Sequence, residues 1–455
     1  MNEMEELMSM CDAVPLPDPD RLAKVRARVA DAITKNPSAG RRARGPWSAK
    51  SLWPGNRWLS LVAPLAAAVA VTAVVVGTQT VAGVLHTSVA PSHARGAAAT
   101  GRGPWAGPVV PALAFVTGAG SGTVVPIRTA TNRALPPIKV GHNPTAVAIT
   151  PAGKTAYVVN TVLKGTVIPI RTATSTVLRP VSVGQDPVAV AVTPDGKTAY
   201  VVNGGSDSVT PIRTATNTAL PAIPVGRVPG HIAITPDGKT AYVVNTWGGT
   251  VTPIRIASNT ALTPIMVGRF PPGIAITPDG KTAYVACAGS GSVIPIHTAT
   301  NTALPPIKVG VDPLAIAITP DGKTAYVSVG KSVRGRAGGS VFPIHTATNT
   351  ALPPIAVGQD PVAVAITPDG RTAYVANNVP SGSVTPVNTA TNTALKPVPV
   401  GPHPFTIGIT PDSRTAYVAS VSTDTVTPIR IATDTALTPI VVGRSPQGIA
   451  ITHIP

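Results

Sequence analysis

The stretch PDGKTAYV at residues 194–201 returns at Pro236, Pro278 and Pro320, and as PDGRTAYV from Pro368. Weaker copies are PAGKTAYV from Pro151 and PDSRTAYV from Pro411, so the start-to-start spacings are 43, 42, 42, 42, 48 and 43 residues. A period of about 40 to 45 residues constrains the chain to a repeat architecture. In such a fold each unit is one supersecondary element that buries its apolar faces only by stacking on its neighbours.

The full unit reads PxAIAIT-PDGKTAYVVN-xxGTVTPIRTATNTALPPIxVG. Its four apolar runs, AIAIT, TAYVV, TVTPIR and ALPPIxV, have strand length and are rich in Val, Ile, Thr and Ala. TPDGK supplies a fixed φ, a side-chain acceptor and a positive φ to a tight hairpin, and TATNT is a second polar turn. Four strands per period match one blade of a β-propeller, so the expected fold is all-β with four-stranded blades. From Ala112 the chain opens with strands two to four of a unit and no first strand; it ends with an orphan first strand from Pro446. Seven complete units lie between. Pairing the two terminal strands closes an eight-bladed ring and removes the open edges; seven blades is the alternative. All seven tyrosines occupy one slot of the repeat, filled by Phe115 in the first unit, which reads as packing between blades.

Residues 1–57 form a polar segment in which 18–35 have the capping aspartate and the 3.6-residue apolar spacing of a short amphipathic helix. Basic residues and tryptophans then precede the apolar run 59–77, and no charge falls between Arg57 and Arg95. About 20 apolar residues suffice to cross a bilayer. The expected domains are therefore a cytoplasmic segment 1–57, a single transmembrane helix within 58–85, a flexible Ala/Gly/Ser/Pro linker 86–111, and the propeller 112–455. By the positive-inside rule the N-terminus is cytoplasmic and the propeller lies outside the cytoplasm. Two cysteines, Cys11 and Cys287, fall on opposite sides of the apolar run and give no metal-binding spacing.

The propeller units resemble the YVTN-type repeat of surface-layer and lactonase-like propellers. The resemblance is carried by residues 200–203 and 242–245, the TATNTAL segments at Thr214 and Thr346, and the PDG turns. It covers residues 112–455 and implies the fold rather than an activity. The chain departs from the family in its third strand, where VTPIR puts a proline and a terminal Arg, His or Asn in every copy.

Loops that join strands two and three, and successive blades, vary among the copies, whereas PDGKT and TATNT are nearly identical across them. Variation on one template marks the face freed from scaffold duty, where binding residues go. The inter-blade VGxxP loops are expected at the mouth of the central channel. Their polar residues, His142, Asp186, Arg227, Arg269, Asp312, Asp360, His403 and Arg444, are the candidate ligand-binding set. A cation could sit at Asp312 and Asp360 or an anion at Arg227 and Arg269; salt pairs and solvated loop tips account for the same residues.

No catalytic residue, metal site or cofactor is indicated: no GxSxG, HExxH, Walker or CxxCH motif occurs. The net charge of +17 suits an anionic partner, a cell-envelope polymer or protein, with nucleic acid disfavoured. The sequence thus reads as a membrane-anchored, surface-displayed binding or scaffold module. A lactonase-like hydrolase, and a sensor coupling an outside ligand to residues 1–57, are the rival readings.

Overall fold

The computed structural model of the chain describes residues 112–331 and 338–452. These form eight antiparallel sheets, the blades of a closed propeller. In blade 3, for example, Pro187–Val192 is innermost, followed by Thr198–Asn203 and Ser208–Arg213. Blade 1 takes its innermost strand, Pro446–Ile451, from the C-terminus, paired antiparallel to Leu113–Gly118. The joint is sealed by Leu113 N–H donating to Thr452 Oγ1 and Thr452 N–H donating to Leu113 O, both at 2.8 Å. The expected eight-bladed ring, closed by its terminal strands, is the one observed.

Two expectations are corrected. The first is the transmembrane helix ahead of the propeller. No helix among the described residues is long and apolar enough to cross a membrane. The run 59–77 lies outside the described residues, and what the structure shows is an all-β propeller alone. The second is the outermost strand, read as one run. It is two short pieces, Thr218–Ala219 and Ile223–Pro224 in blade 3, which both pair with Ser208–Arg213.

That interruption explains the third-strand proline. Pro211 lies opposite Tyr200, and its carbonyl accepts the Leu220 N–H at 2.8 Å from the outer side. In an extended strand the N–H and C=O of one residue point to the same side. The donor that Pro211 lacks would therefore face the break in the outer strand, where no acceptor stands in register, and its loss leaves the inner ladder whole. The same Leu-to-Pro bond recurs in all eight blades, from Leu135–Pro126 to Leu437–Pro428.

The core lies between the blades. One cluster joins Tyr242, Val244 and Val251 of blade 4 to Ile274, Val285 and Ile296 of blade 5, and each joint repeats the pattern. The tyrosines are fully buried, and their hydroxyls reach the polar turn of the next blade. Tyr157 donates to Asn217 Oδ1 at 2.7 Å, Tyr200 to Asn259 and Tyr242 to Asn301 at 2.6 Å. Each of these asparagines is left-handed, with φ between 50° and 54°, a conformation that asparagine tolerates better than most residues. The Asn of TATNT therefore turns the chain and latches the neighbouring blade.

Candidate functional site

The two faces of the ring differ in construction. On one, the PDGK and TATNT turns dock on each other. Asp195 Oδ1 accepts the Thr193 hydroxyl at 2.6 Å and the Lys197 N–H at 3.0 Å, Gly196 sits at φ 70°, and Thr214 Oγ1 donates to Gly196 O at 2.6 Å. Burial pushes the Asp195 carboxyl up, but the Thr193 hydroxyl and the Lys197 N–H and ammonium together hold it below the usual range. The Lys197–Asp195 ion pair at 3.5 Å is exposed, and pairs of that kind add little stability. The turn repeats at Asp237, Asp279 and Asp321 with the same distances. It is scaffold.

The opposite face carries the VGxxP connections and the loops between strands two and three. In every connection the residue before proline is left-handed: Asn143, Asp186, Val228, Phe270, Asp312, Asp360, His403 and Ser445 have φ between 44° and 56°. Of the candidate residues, Asp186, Asp312, Asp360 and His403 occupy this turn position, whereas His142, Arg227, Arg269 and Arg444 stand one residue earlier. The turn is tied down by the following loop, as when Thr246 N–H donates to Val228 O at 3.1 Å and its hydroxyl to Pro271 O at 3.2 Å. His403 Nδ1 lies 3.1 Å from Asn378 Oδ1, and Asn378 Nδ2 donates to Pro404 O at 3.1 Å, so that histidine belongs to a joint between blades 7 and 8. Among the described residues no three His, Cys, Asp or Glu side chains come together as a metal site. Arg334 and Arg336, in the long loop of blade 6, lie outside the described residues.

Departures from the template concentrate in blade 4, in the connections that enter and leave it, and at its joint with blade 5. Asn, Asp, His and Ser fill the left-handed position elsewhere, but here it holds Val228 and Phe270. The third residue of the innermost strand is Ala, Gly or Thr in seven blades and the buried His231 in blade 4. Desolvation pushes that imidazole down to about 3, so it is neutral at physiological pH. The loop after Thr240–Asn245 carries Trp247, the one tryptophan of residues 112–455. Its ring meets Phe270 edge to face, centroids 6.5 Å apart and planes at 89°. Sequence reasoning marked Arg227 and Arg269 here, but not His231 or Phe270; aligning the eight copies slot by slot is the signal that finds them.

Cys287, in the same joint, is structural. It occupies the slot of Asn160 and Ser420, and its thiol donates to Val267 O at 3.2 Å, as Asn160 Nδ2 does to the equivalent Val140 O at 2.7 Å. Desolvation pushes the thiol up to about 12, which removes the thiolate a nucleophile needs.

A scan of protein-family models finds no match, and neither does a comparison with curated protein sequences. Similarity to solved structures is extensive. Dihydro-heme d1 dehydrogenase NirN, solved in complex with DHE, matches at TM-score 0.64 and 13% identity over 77% of each chain. A putative 6-phosphogluconolactonase from Bacteroides fragilis matches at 0.52 and 19% identity over 76% of this chain and 99% of that one. Citrobacter koseri AztD matches at 0.55 and 12% identity over 75% and 98%. At these identities the likeness is one of fold: the chain is an eight-bladed propeller with lactonase-like and heme d1 proteins among its structural neighbours.

Proposed function

We propose that this chain is a YVTN-type propeller acting as a binding module at the cell envelope, outside the cytoplasm, with its ligand taken on the variable face. One observation carries this reading. Eight copies of one template keep the PDGK/TATNT face nearly constant and diversify the other, and Leu163, Val228, Trp247, Phe270 and Val311 are large apolar side chains exposed on the diversified loops. The basic balance of residues 101–455, 25 Lys and Arg against 12 Asp, favours an anionic envelope polymer or protein as partner. The test is retention of isolated envelope material by immobilised full-length chain, alongside a panel of lactones. Salt-sensitive retention of an envelope component with no lactone turnover is expected. Lactone hydrolysis, or no retention of any envelope component, would overturn the reading.

A further inference from the structure

We infer that the loop end of blade 4, at its joint with blade 5, is a binding site for an acidic polysaccharide, with Trp247 as stacking platform and Arg227, in the connection that enters blade 4, as carboxylate contact; this rests on the binding role proposed above. The slot of Trp247 holds Gly, Val, Lys or Ser in the other seven blades, and here it leaves an indole 53% exposed. Apolar surface left in water forgoes about 25 cal/mol per Å² of burial, so folding supplies no reason for tryptophan at that place. The ring is nevertheless held: Phe270 packs on it edge to face, and the adjoining Gly248 N–H donates to Arg227 O at 3.3 Å. That bond ties the platform to the connection that carries the arginine. Val228 and Phe270 also adopt a left-handed backbone that β-branched and bulky residues avoid. Outliers of this kind persist where the site uses them. The result is an exposed apolar plate, Val228, Trp247 and Phe270, with Arg227 and Arg269 exposed at its border.

The ligand class follows from that pairing. A pyranose ring offers an apolar C–H face to an indole, and a uronic-acid carboxylate offers a planar acceptor to a guanidinium. Three apolar side chains are far fewer than the 20 to 30 residues, about 800 Å² per partner, of a stable protein interface. Single-stranded nucleic acid needs successive aromatic platforms along a cationic groove. This face instead offers a single indole platform, Trp247, with the Phe270 edge packed against it.

The experiment measures binding of the full-length chain to polygalacturonate, to its methyl-esterified form and to oligo-dT. Trp247→Ala and Arg227→Gln are run in parallel, and unchanged melting curves confirm folding. Polygalacturonate should bind in a salt-sensitive manner and the esterified polymer at least tenfold more weakly. Trp247→Ala should lose tenfold or more on both polymers. Arg227→Gln should lose affinity for the acidic polymer only. Equal binding by the variants and the parent, no binding of polygalacturonate, or tighter binding of oligo-dT at matched salt overturns the site. If the variants retain envelope material as well as the parent does, the binding role stands and this site falls. If the parent retains none, the binding role itself falls.

Discussion

The hydroxyl of Tyr417 donates to Asn132 Oδ1 across 285 residues of sequence, and so latches the last blade to the first. Six other joints carry the same bond, with Asp434 standing in for asparagine opposite Tyr374. The eighth joint does not: blade 1 has Phe115 in the tyrosine slot, and the polar turn of blade 2 has Ser175 in the asparagine slot. Donor and acceptor are lost together. The pair therefore behaves as one interaction across a joint, not as two independent turn and core choices.

Restoring that pair is the direct check. Phe115→Tyr combined with Ser175→Asn should add one buried hydrogen bond, about 1 kcal/mol, and raise Tm by roughly 2 °C. Each substitution alone should gain nothing, since a lone tyrosine hydroxyl finds no asparagine and a lone asparagine faces a phenyl ring. A double-mutant cycle by thermal melting measures the coupling, and additivity of the two single effects would refute it.

Removal of residues 446–455 takes away the innermost strand of blade 1 and the Leu113–Thr452 bonds. The strand Leu113–Gly118 then presents an unpaired edge. The truncated chain should aggregate or melt many degrees below the parent, by scattering and calorimetry, whereas Tyr417→Phe should cost only about 1 kcal/mol.

The alkaline limb follows from the latches. Desolvation raises Tyr157, Tyr200, Tyr242, Tyr284 and Tyr326 to about 12 in the folded chain, against an ordinary 10.0. A raised folded-state value gives stability that is whole below pH 10 and lost as pH rises through about 12, because the unfolded chain releases these protons first. Denaturant midpoints should fall steeply between pH 10 and 12. Replacing two of these tyrosines by phenylalanine should make the fall shallower.

Cys287 should be inert to thiol reagents in the folded state. In a Cys11→Ser background, an aromatic disulfide reagent at pH 8 should label less than a tenth of the protein in an hour, and all of it in denaturant. Cys287→Ser should cost no more than about 1.5 kcal/mol, because Ser420 fills the same slot in blade 8 and bonds Gly401 O at 3.1 Å. Rapid labelling of the folded chain would reopen a chemical role for the thiol.

How much of this could be read in the sequence depends on whether a feature repeats. The period, the strand runs and the incomplete first and last units placed the eight blades and their closure before any coordinates, because each is copied many times. The break in the outer strand was not visible. Whether ALPPI runs on or splits depends on how the Leu220 N–H is satisfied, and its partner, the Pro211 carbonyl, belongs to another strand. At the site, Arg227 and Arg269 stood out by charge. Phe270 did not, since an aromatic beside a proline reads as core until its left-handed φ and its contact with Trp247 are known. His231 was hidden inside a strand pattern that looks regular unless every copy is compared at that slot.

His231 gives the acid limb. Its folded-state value is pushed down to about 3 by desolvation, against an ordinary 6.5. The unfolded chain takes up this proton below pH 6.5, while the folded chain refuses it until about pH 3, so stability is whole above 6.5 and is lost as pH falls toward 3. The window from pH 6.5 to 4.5 is the one to measure, because Asp195, Asp237, Asp279 and Asp321, held below their ordinary 3.8, stay ionised there. His231→Ala adopts the residue that Ala189 and Ala315 provide in other blades. It should lower stability at pH 8 by leaving a cavity, yet flatten the change in denaturant midpoint between pH 6.5 and 4.5. An identical slope in parent and variant would show that the imidazole does not titrate with folding.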